Sequence, residues 1–360
     1  MYELRNWFVE GEVVFRDAAE AIQSHAGEIA PGNEALIAAN AVCAHSAYFS
    51  SRLGENLSAY IGLISNSASL HASTIQFAEM CALWYLGLVC CVLGKYEEAN
   101  RSLQASLEKA GAHGERWYET MIGEQIGIVL HDQGEYEMAY HYLAEAVTSA
   151  HEIGDPMVIA PTLIFLGKTI HALGETSEAK KCLRESLNIA QEIGYRHGIS
   201  RALDGLGQLA QVNNPNEAHI LFTASCDVHR EPGYLRTLSM DFNCQEYNSL
   251  TLGDIIGAHN SFITVIHHAH ESSYMPTMLD VLVGLEMITA KDGDDEHALK
   301  LVVNVLQHQV AAHDTLNRAE RLQAELQIRL TKQQLKALQP RVKARTFDAI
   351  MDEVLNQVDR

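Results

Sequence analysis

A repeat of forty residues constrains the fold of this chain more than any other feature of its sequence. A large apolar residue followed by glycine recurs at that spacing, as Leu86-Gly87, Ile126-Gly127, Leu166-Gly167 and Leu206-Gly207. An alanine follows each glycine by twelve residues, or by eleven in the fourth copy (Ala99, Ala139, Ala179, Ala218). Periods of this length are typical of stacked-repeat architectures, in which neighbouring copies of one helical unit share a continuous core.

Two further positions recur in the segment that follows each alanine. A large apolar residue stands four residues after the alanine (Leu103, Leu143, Leu183, Phe222), and a small residue stands seven after it (Ser106, Ala146, Ser186, Ser225). These offsets place the three positions on one face of an α-helix. We therefore predict that two helices cross closely where glycine meets alanine, and that the large residue fills the space beside the crossing.

The pattern predicts seven helix pairs, whose marker alanines are Ala59, Ala99, Ala139, Ala179, Ala218, Ala258 and Ala298. A short polar turn joins the two helices of each pair, at Gly54, Gly94, Gly134, Gly174, Asn214-Pro215, Gly253 and Gly293. Glycine suits this place because a helix often ends in the left-handed conformation, which penalises a Cβ. A second glycine series ends the second helix of a pair, at Gly114, Gly154, Gly194 and Gly233. The fold class that follows is all-α, an α-solenoid.

The chain divides into an N-terminal helix, the solenoid and C-terminal capping helices, at residues 1–32, 33–314 and 315–360. The N-terminal helix, Leu4 to Ile22, is either half of a repeat or a cap. The C-terminal part is predicted to contain a charged helix from Thr315 to Leu338 and an amphipathic helix that begins at Thr346. These two would cover the open end of the solenoid, because terminal repeats need a polar outer face.

Composition excludes several classes of function. The formal charge of −20 argues against a nucleic-acid surface, because phosphate binding needs a basic face. The seven cysteines lie mostly in apolar helical patterns, which favours buried free thiols in a reducing compartment. The longest apolar run, Cys81 to Leu93, is shorter than the roughly 20 residues of a membrane span. A cytoplasmic protein without direct contact to membrane or nucleic acid is expected.

Motifs of catalysis and metal binding are weak in this chain. Gly167-Lys168-Thr169 looks like the end of a phosphate-binding loop, but the repeat places it in a helix interior, which lacks free backbone N–H groups. His267, His268 and His270 lack a cysteine or carboxylate at a fixed spacing, so a solvated or partly buried helix face is favoured over a metal site. We therefore predict no enzyme activity, no catalytic residue, no metal and no cofactor.

From about Ala41 to Leu306, the sequence resembles the tetratricopeptide repeat. The resemblance lies in the combination of Leu-Gly, the later alanine, and the large and small residues that follow the alanine. The usual repeat of that family has about 34 residues, and its aromatic residue four before the glycine is mostly replaced here (Leu83, Gly123, Leu163, Leu203). The longer period is similar to that of the maltose-regulator-like activators and related signalling ATPases. The resemblance implies a right-handed superhelix of about seven helix pairs that acts as a sensor or scaffold arm.

The resemblance also implies which residues face a ligand, because first helices of tetratricopeptide arrays line a concave groove. Carried onto this chain by family register, the groove residues are Trp84, Glu124, His131, Asp132, Lys168, His171, Arg201, Asp204, Gln208, Gln211, Asn243 and Tyr247. This face is apolar near Trp84 and carries both signs of charge from Glu124 onward. Polar residues are costly on a buried face, so the groove is either a ligand site or a water-filled channel whose polar groups satisfy one another.

Two hypotheses about function remain open. The favoured one is a non-catalytic regulatory module of a signalling system that senses a protein, a peptide or a small inducer in its groove. The alternative is a structural adaptor of a protein complex that binds through its convex face or terminal helices. Charge reversal at Arg201 together with Lys168→Glu separates the two, because only the first hypothesis predicts loss of binding.

Overall fold

A computed structural model describes residues 76–114, 116–229, 243–271, 275–308, 310–335, 350–351 and 354–355. Throughout these residues the regular structure is helical and contains no β-strand, which confirms the all-α prediction. The predicted N-terminal helix at 1–32, the first helix pair around Ala59, and the turns at Gly54 and Gly233 lie outside the described residues. The predicted start of the last helix at Thr346 lies outside them as well.

Six helix pairs follow one another along the described part of the chain. They are α1 (Gln76–Val92) with α2 (Tyr96–His113), α3 (Arg116–Asp132) with α4 (Tyr136–Ile153), α5 (Pro156–Ala172) with α6 (Thr176–Glu192), α7 (Arg196–Gln211) with α8 (Pro215–His229), α9 (Asn243–Leu252) with α10 (Ile255–Glu271), and α11 (Met275–Lys291) with α12 (Asp295–Leu306). A further helix, α13 (His313–Arg329), packs against α11 and α12. Each helix contacts the next one along the chain, so the pairs stack as a solenoid.

The predicted close crossings are present within the pairs. A Cβ built on Gly87 would lie 2.5 Å from Cγ of Leu103, and one on Gly127 would lie 2.5 Å from Cγ of Leu143. The marker alanines Ala99, Ala139, Ala179, Ala218 and Ala298 are completely buried. Glycine is therefore required sterically where the first helix meets the large residue of the second.

Small polar residues of the second helix bond to the backbone of the first. The Ser106 hydroxyl donates to the Met80 carbonyl at 2.7 Å, and Ser186 donates to the Ala160 carbonyl at 2.6 Å. Both serines are completely buried. A buried hydroxyl needs such a partner, so this position of the repeat takes either alanine or a serine that reaches the neighbouring helix.

The turn inside five of the six described pairs uses the predicted left-handed glycine, and the turn between α7 and α8 has Asn214-Pro215 instead. Gly94, for example, has φ +68°. Its N–H donates to the Cys91 carbonyl at 2.9 Å, and the N–H of the next residue, Lys95, donates to the Cys90 carbonyl at 2.8 Å. This arrangement satisfies carbonyl groups that the helix end would otherwise leave without partners. Gly134, Gly174, Gly253 and Gly293 also have positive φ.

The solenoid curves with its first helices on the inside. The first helices of successive pairs contact one another along the whole described array, more extensively than the second helices do. Helices on the inner side of a curved stack lie closer together than those on the outer side. The inner face is therefore formed by α1, α3, α5, α7, α9 and α11, and α13 extends it.

The array contains two hydrophobic clusters. One runs from Met80 to Leu209 and the other from Leu250 to Val354. The five described cysteines are free, and three of them, Cys81, Cys90 and Cys182, are buried. Across the described residues, no helix is long and apolar enough to cross a membrane.

The C-terminal helix is shorter than predicted. The sequence pattern indicated one helix from Thr315 to Leu338, but α13 ends at Arg329 and Leu330 is extended, with ψ 145°. A new helical turn follows because Thr331 and Gln334 form reciprocal hydrogen bonds. The Thr331 N–H donates to Oε1 of Gln334 at 3.0 Å, and the Gln334 N–H donates to Oγ1 of Thr331 at 3.3 Å. This capping box starts a helix at Thr331 and explains why the single-helix prediction was wrong.

Candidate ligand groove

The residues predicted to line the groove fall into three groups in the structure: three buried residues, a central group of charged residues and a C-terminal group. The buried ones are Trp84, Glu124 and Asp204, and Asp204 on α7 is 6% exposed. Gln208 and Gln211 are half-buried on α7, between the last two groups. Asn243 is the first residue of α9, and its side chain lies outside the described structure.

Trp84 and Glu124 are buried between helices and do not line the open part of the inner face. Trp84 is 5% exposed and packs edge-on against Trp117 and Tyr118, with ring centroids 6.3 and 5.8 Å away. Glu124 is 2% exposed and accepts a hydrogen bond from the Thr162 hydroxyl at 3.1 Å. These two residues connect neighbouring repeats.

Five predicted residues come together in the middle of the inner face. This central cluster consists of His131 and Asp132 at the end of α3, Lys168 and His171 on α5, and Arg201 on α7, all of them half-buried. His131 Nδ1 lies 3.0 Å from the Thr169 hydroxyl, across the boundary between two repeats. The Arg201 guanidinium stacks on the Phe165 ring, 4.5 Å from its centroid. His131 and His171 were both predicted to line the groove, and both belong to this cluster.

The start of α13 reaches the same cluster from a distant part of the chain. The Tyr136 hydroxyl donates to Asp314 Oδ1 at 3.2 Å, across 178 residues of sequence. The His313 ring packs edge-on against Tyr136 at 5.7 Å and covers Gly134, where a Cβ would lie 2.6 Å from the imidazole. The turn between α3 and α4 is thus joined to the start of α13, and Asp314 is added to the charges of the central cluster.

Burial and the surrounding charges shift the titration of this cluster. Burial raises the pKa of Asp132 to about 7; the Asp314 carboxylate raises it too, while Lys168 and Arg201 act in the opposite direction. Burial lowers the pKa of His131 to about 4 despite the opposing effect of Asp314. Burial also lowers the pKa of His171. Both histidines are therefore neutral at pH 7, and Asp132 changes its charge near that pH.

Three polar groups of the central cluster have no partner among the described residues. Neither the Asp132 carboxylate nor the Lys168 ammonium makes a hydrogen bond or an ion pair there, although both side chains are half-buried. His171 Nδ1 is buried and makes no hydrogen bond within the described structure. Groups of this kind are normally satisfied by water or by a bound molecule.

A second set of charges lies toward the C-terminal end of the inner face. Tyr247 donates to the Asp280 carbonyl at 2.7 Å, and the Arg318 guanidinium lies over its ring, 4.8 Å from the centroid. The Asp280 carboxylate accepts from Arg318 Nε at 3.1 Å and from the Thr315 hydroxyl at 2.9 Å. This second set is internally paired, in contrast to the central cluster.

Glu246 lies beside this second set and is 2% exposed. It stands in α9 at the position that the crossing glycine occupies in earlier repeats. Burial raises its pKa to about 8, and the carboxylates of Asp204 and Asp280 act in the same direction. Its Oε2 atom makes no hydrogen bond within the described residues, so the side chain is held in its neutral form.

The sequence pattern missed Asp280, Asp314 and Arg318 as residues of the inner face. Asp280 stands six residues before Glu286, as Arg201 stands six before Gly207, so the repeat register contained a signal for it. Asp314 and Arg318 were missed because the family register was carried only as far as Tyr247, while α13 packs against α11 and α12 beyond it. Gly167-Lys168-Thr169 lies inside α5, as predicted. Within the described residues, no three histidine, cysteine, aspartate or glutamate side chains are grouped to hold a metal ion.

Comparisons with known proteins agree with the repeat. Residues 158–231 match the protein family described as Tetratricopeptide repeat. No curated protein sequence matches the chain significantly.

Solved structures with a similar fold extend over most of the chain. The crystal structure of a Rap protein complexed with competence and sporulation factor aligns with a TM-score of 0.66 and 12% identity, over 93% of this chain and 97% of that one. NprR in complex with its cognate peptide NprX aligns with a TM-score of 0.60 and 14% identity, over 88% and 98%. The apo form of the quorum sensor NprR from B. thuringiensis aligns with a TM-score of 0.50 and 15% identity, over 89% of this chain and 98% of that one. At these identities, the likeness concerns the fold.

Proposed function

Because the chain is a tetratricopeptide-repeat protein, we propose that it is a non-catalytic regulatory module that binds a peptide or an extended segment of a protein along its inner face. The observation that carries this proposal is the central cluster. Asp132 and Lys168 are half-buried there and make no hydrogen bond or ion pair among the described residues, although the Lys168 charge acts on the pKa of Asp132. A chain whose inner face served only for packing would pair such groups with each other, because unpaired buried charges are costly.

The chemistry of the cluster favours a peptide over a ligand of one charge. An ammonium and a carboxylate on one face suit a ligand that offers both an acceptor and a donor, as the backbone and side chains of a peptide do. The neutral imidazole of His171 adds a further site for a hydrogen bond. Two proteins of similar fold are known as complexes with a factor and with a cognate peptide, which supports the proposal by analogy of fold.

The proposed place in a signalling system also rests on analogy. The repeat array is similar in shape to a quorum sensor, and the narrower resemblance to sensor arms of signalling ATPases stays a prediction. We expect the protein to act in the cytoplasm and to transmit the presence of its ligand to a protein partner.

A displayed library of short peptides, selected against the purified chain, tests the proposal. We expect selected peptides to bind in calorimetry and to lose at least about tenfold in affinity in Lys168→Ala and in Asp132→Asn, a loss of about 1.4 kcal/mol or more. The matched control is Lys181→Ala, because Lys181 is exposed on α6 and pairs only with Glu178. The proposal is contradicted if no peptide is selected, or if the selected peptides bind both groove variants and the control equally well.

A further inference from the structure

A row of exposed apolar side chains lies at one position of three successive repeats. Leu173, Val212 and Leu252 each stand six residues before a marker alanine, at the end of the first helix of a pair. They are 37%, 85% and 41% exposed. The same position is occupied by polar Gln133 in the preceding repeat and by Asp292 in the following one, so the repeat geometry itself does not require an apolar residue there.

Two further exposed apolar residues stand on the second helices of the same repeats. Ile220 on α8 is 68% exposed and Ile256 at the start of α10 is 77% exposed. Leu252 and Ile256 lie on either side of the same turn, at Gly253. We call these five residues, Leu173, Val212, Ile220, Leu252 and Ile256, the turn edge. Single exposed apolar residues are ordinary on a protein surface, whereas apolar residues exposed at the same position of three successive repeats point to an interaction site.

Hydrogen bonds join α9, which carries Leu252, to α8 and to α11. The Asn248 side chain on α9 donates to the Pro215 carbonyl at the start of α8, at 3.4 Å. Lys291 at the end of α11 donates to the Leu250 carbonyl at 3.1 Å. Successive first helices also contact each other, and packed helix axes lie about 8–10 Å apart. The row therefore presents one apolar residue per repeat, at intervals close to this expected helix spacing.

The exposed charged residues within these turns are acidic. Glu175, Glu217 and Asp254 are exposed in the turns that carry the row. Glu217 and Asp254 bond only to nearby groups of their own turns, the Asn214 amide and the Gly257 N–H, and none of the three forms an ion pair among the described residues. A partner that covers the apolar row gains by placing basic residues at its margins. A second copy of this chain, with a net charge of −20, would bring like charges together.

We propose that the turn edge docks a basic amphipathic helix of a protein partner. A helix rises about 1.5 Å per residue, so apolar residues seven apart recur at about 10.5 Å along its axis. That interval matches the spacing of Leu173, Val212 and Leu252 along the array. A helix with apolar residues at i, i+7 and i+14 and lysine or arginine on the flanks contacts all three and places its charges over the acidic turns.

The turn edge shares no residue with the central cluster of the inner face. The docking proposal therefore does not depend on the proposed peptide site, and either can fail alone. If both hold, the protein has a ligand surface and a separate partner surface on one array, as a regulatory module needs.

The test uses a fluorescein-labelled, helix-forming peptide of alanine and lysine with leucine at i, i+7 and i+14. The control peptide has the same composition, with its three leucines spread around the helix. We expect the first peptide to bind in fluorescence polarisation at least about tenfold more tightly than the control. The double variant Val212→Asp with Ile256→Asp should lose this preference, while Ile328→Asp on α13, where the side chain is 85% exposed, should keep it.

Circular dichroism and thermal unfolding of each variant show whether it folds like the original chain, and Val212→Asp alone replaces the double variant if the latter does not fold. Equal binding of the two peptides, or equal binding by the turn-edge variant and the original chain, overturns the proposal. Sedimentation adds a further decisive outcome: self-association of the original chain that Val212→Asp abolishes would assign the edge to a second copy instead.

Discussion

The substitution Gly127→Ala tests the steric basis of the whole array. A Cβ at this position of α3 would lie 2.5 Å from Cγ and 3.0 Å from Cδ2 of Leu143. Leu143 is completely buried, so it has little room to move away. The same helix supplies the control, because Gly123 is one turn earlier and a Cβ there would meet nothing within 4 Å.

The expected magnitudes follow from two opposing effects. Replacing glycine by alanine inside a helix stabilises it by about 1 kcal/mol, and Gly123→Ala should show this gain. Forcing an extra carbon into a packed crossing costs about 1–3 kcal/mol. Gly127→Ala should therefore range from neutral to destabilised by about 2 kcal/mol, and the difference between the two variants, about 1–3 kcal/mol, measures the clash.

Urea unfolding followed by circular dichroism measures this difference as a shift of the transition midpoint at similar slope. A second measurement adds Leu143→Ala, which removes the side chain that Gly127→Ala would strike. Alone, this truncation should cost about 2–5 kcal/mol. In the Gly127→Ala background it should cost less, by roughly the energy of the clash. Equal stability of the two glycine variants, together with additive effects in the cycle, would refute the close crossing.

Three other substitutions test buried polar groups. Arg318→Met leaves the Asp280 carboxylate buried with fewer partners and should lower the unfolding free energy by about 3 kcal/mol. This is the low end for a broken buried pair, because Arg318 is partly exposed. Urea unfolding measures the change in unfolding free energy. The pKa of Glu246 is raised from 4.5 to about 8, so the folded chain keeps a proton that the unfolded chain loses and stability falls as pH rises between these values. Glu246→Gln should flatten that fall and stabilise the protein most above pH 8, by on the order of a few kcal/mol, whereas parallel pH curves for the two proteins would contradict the assignment. Ser186→Ala removes the hydrogen bond to Ala160 and should cost about 1 kcal/mol in thermal unfolding; an unchanged melting temperature would mean that this bond contributes nothing.

The helix pairs could be predicted from sequence because they depend on short-range offsets. Gly87, Ala99 and Leu103 meet within one hairpin, and the spacing between them is a property of two adjacent helices. The left-handed turn at Gly94 is likewise local, since its hydrogen bonds reach only a few residues back. Such features repeat in most of the pairs, so the pattern shows them several times over.

The composition of the inner face could be predicted only in part. The register placed His131, Lys168 and Arg201 on one face, and the structure gathers them. It could not indicate that Asp314 joins them, because that contact depends on the curvature accumulated over the intervening repeats. Small rotations between pairs add up along a solenoid, and no short-range pattern encodes their sum.

Gly167 and Lys168 show how one inner helix combines a fixed scaffold with a variable surface. Gly167 must lack a side chain, since a Cβ there would lie 2.9 Å from Cγ of Leu183. Lys168, the next residue, lies on the inner face and has no partner among the described residues. Substitution of the glycine would therefore change stability, while substitution of the lysine would act mainly on what the groove accepts, because a side chain that makes no hydrogen bond or ion pair contributes little to folding. Since the crossing fixes only the glycine, alanine and large apolar positions, an array of this kind can alter its ligand without altering its fold.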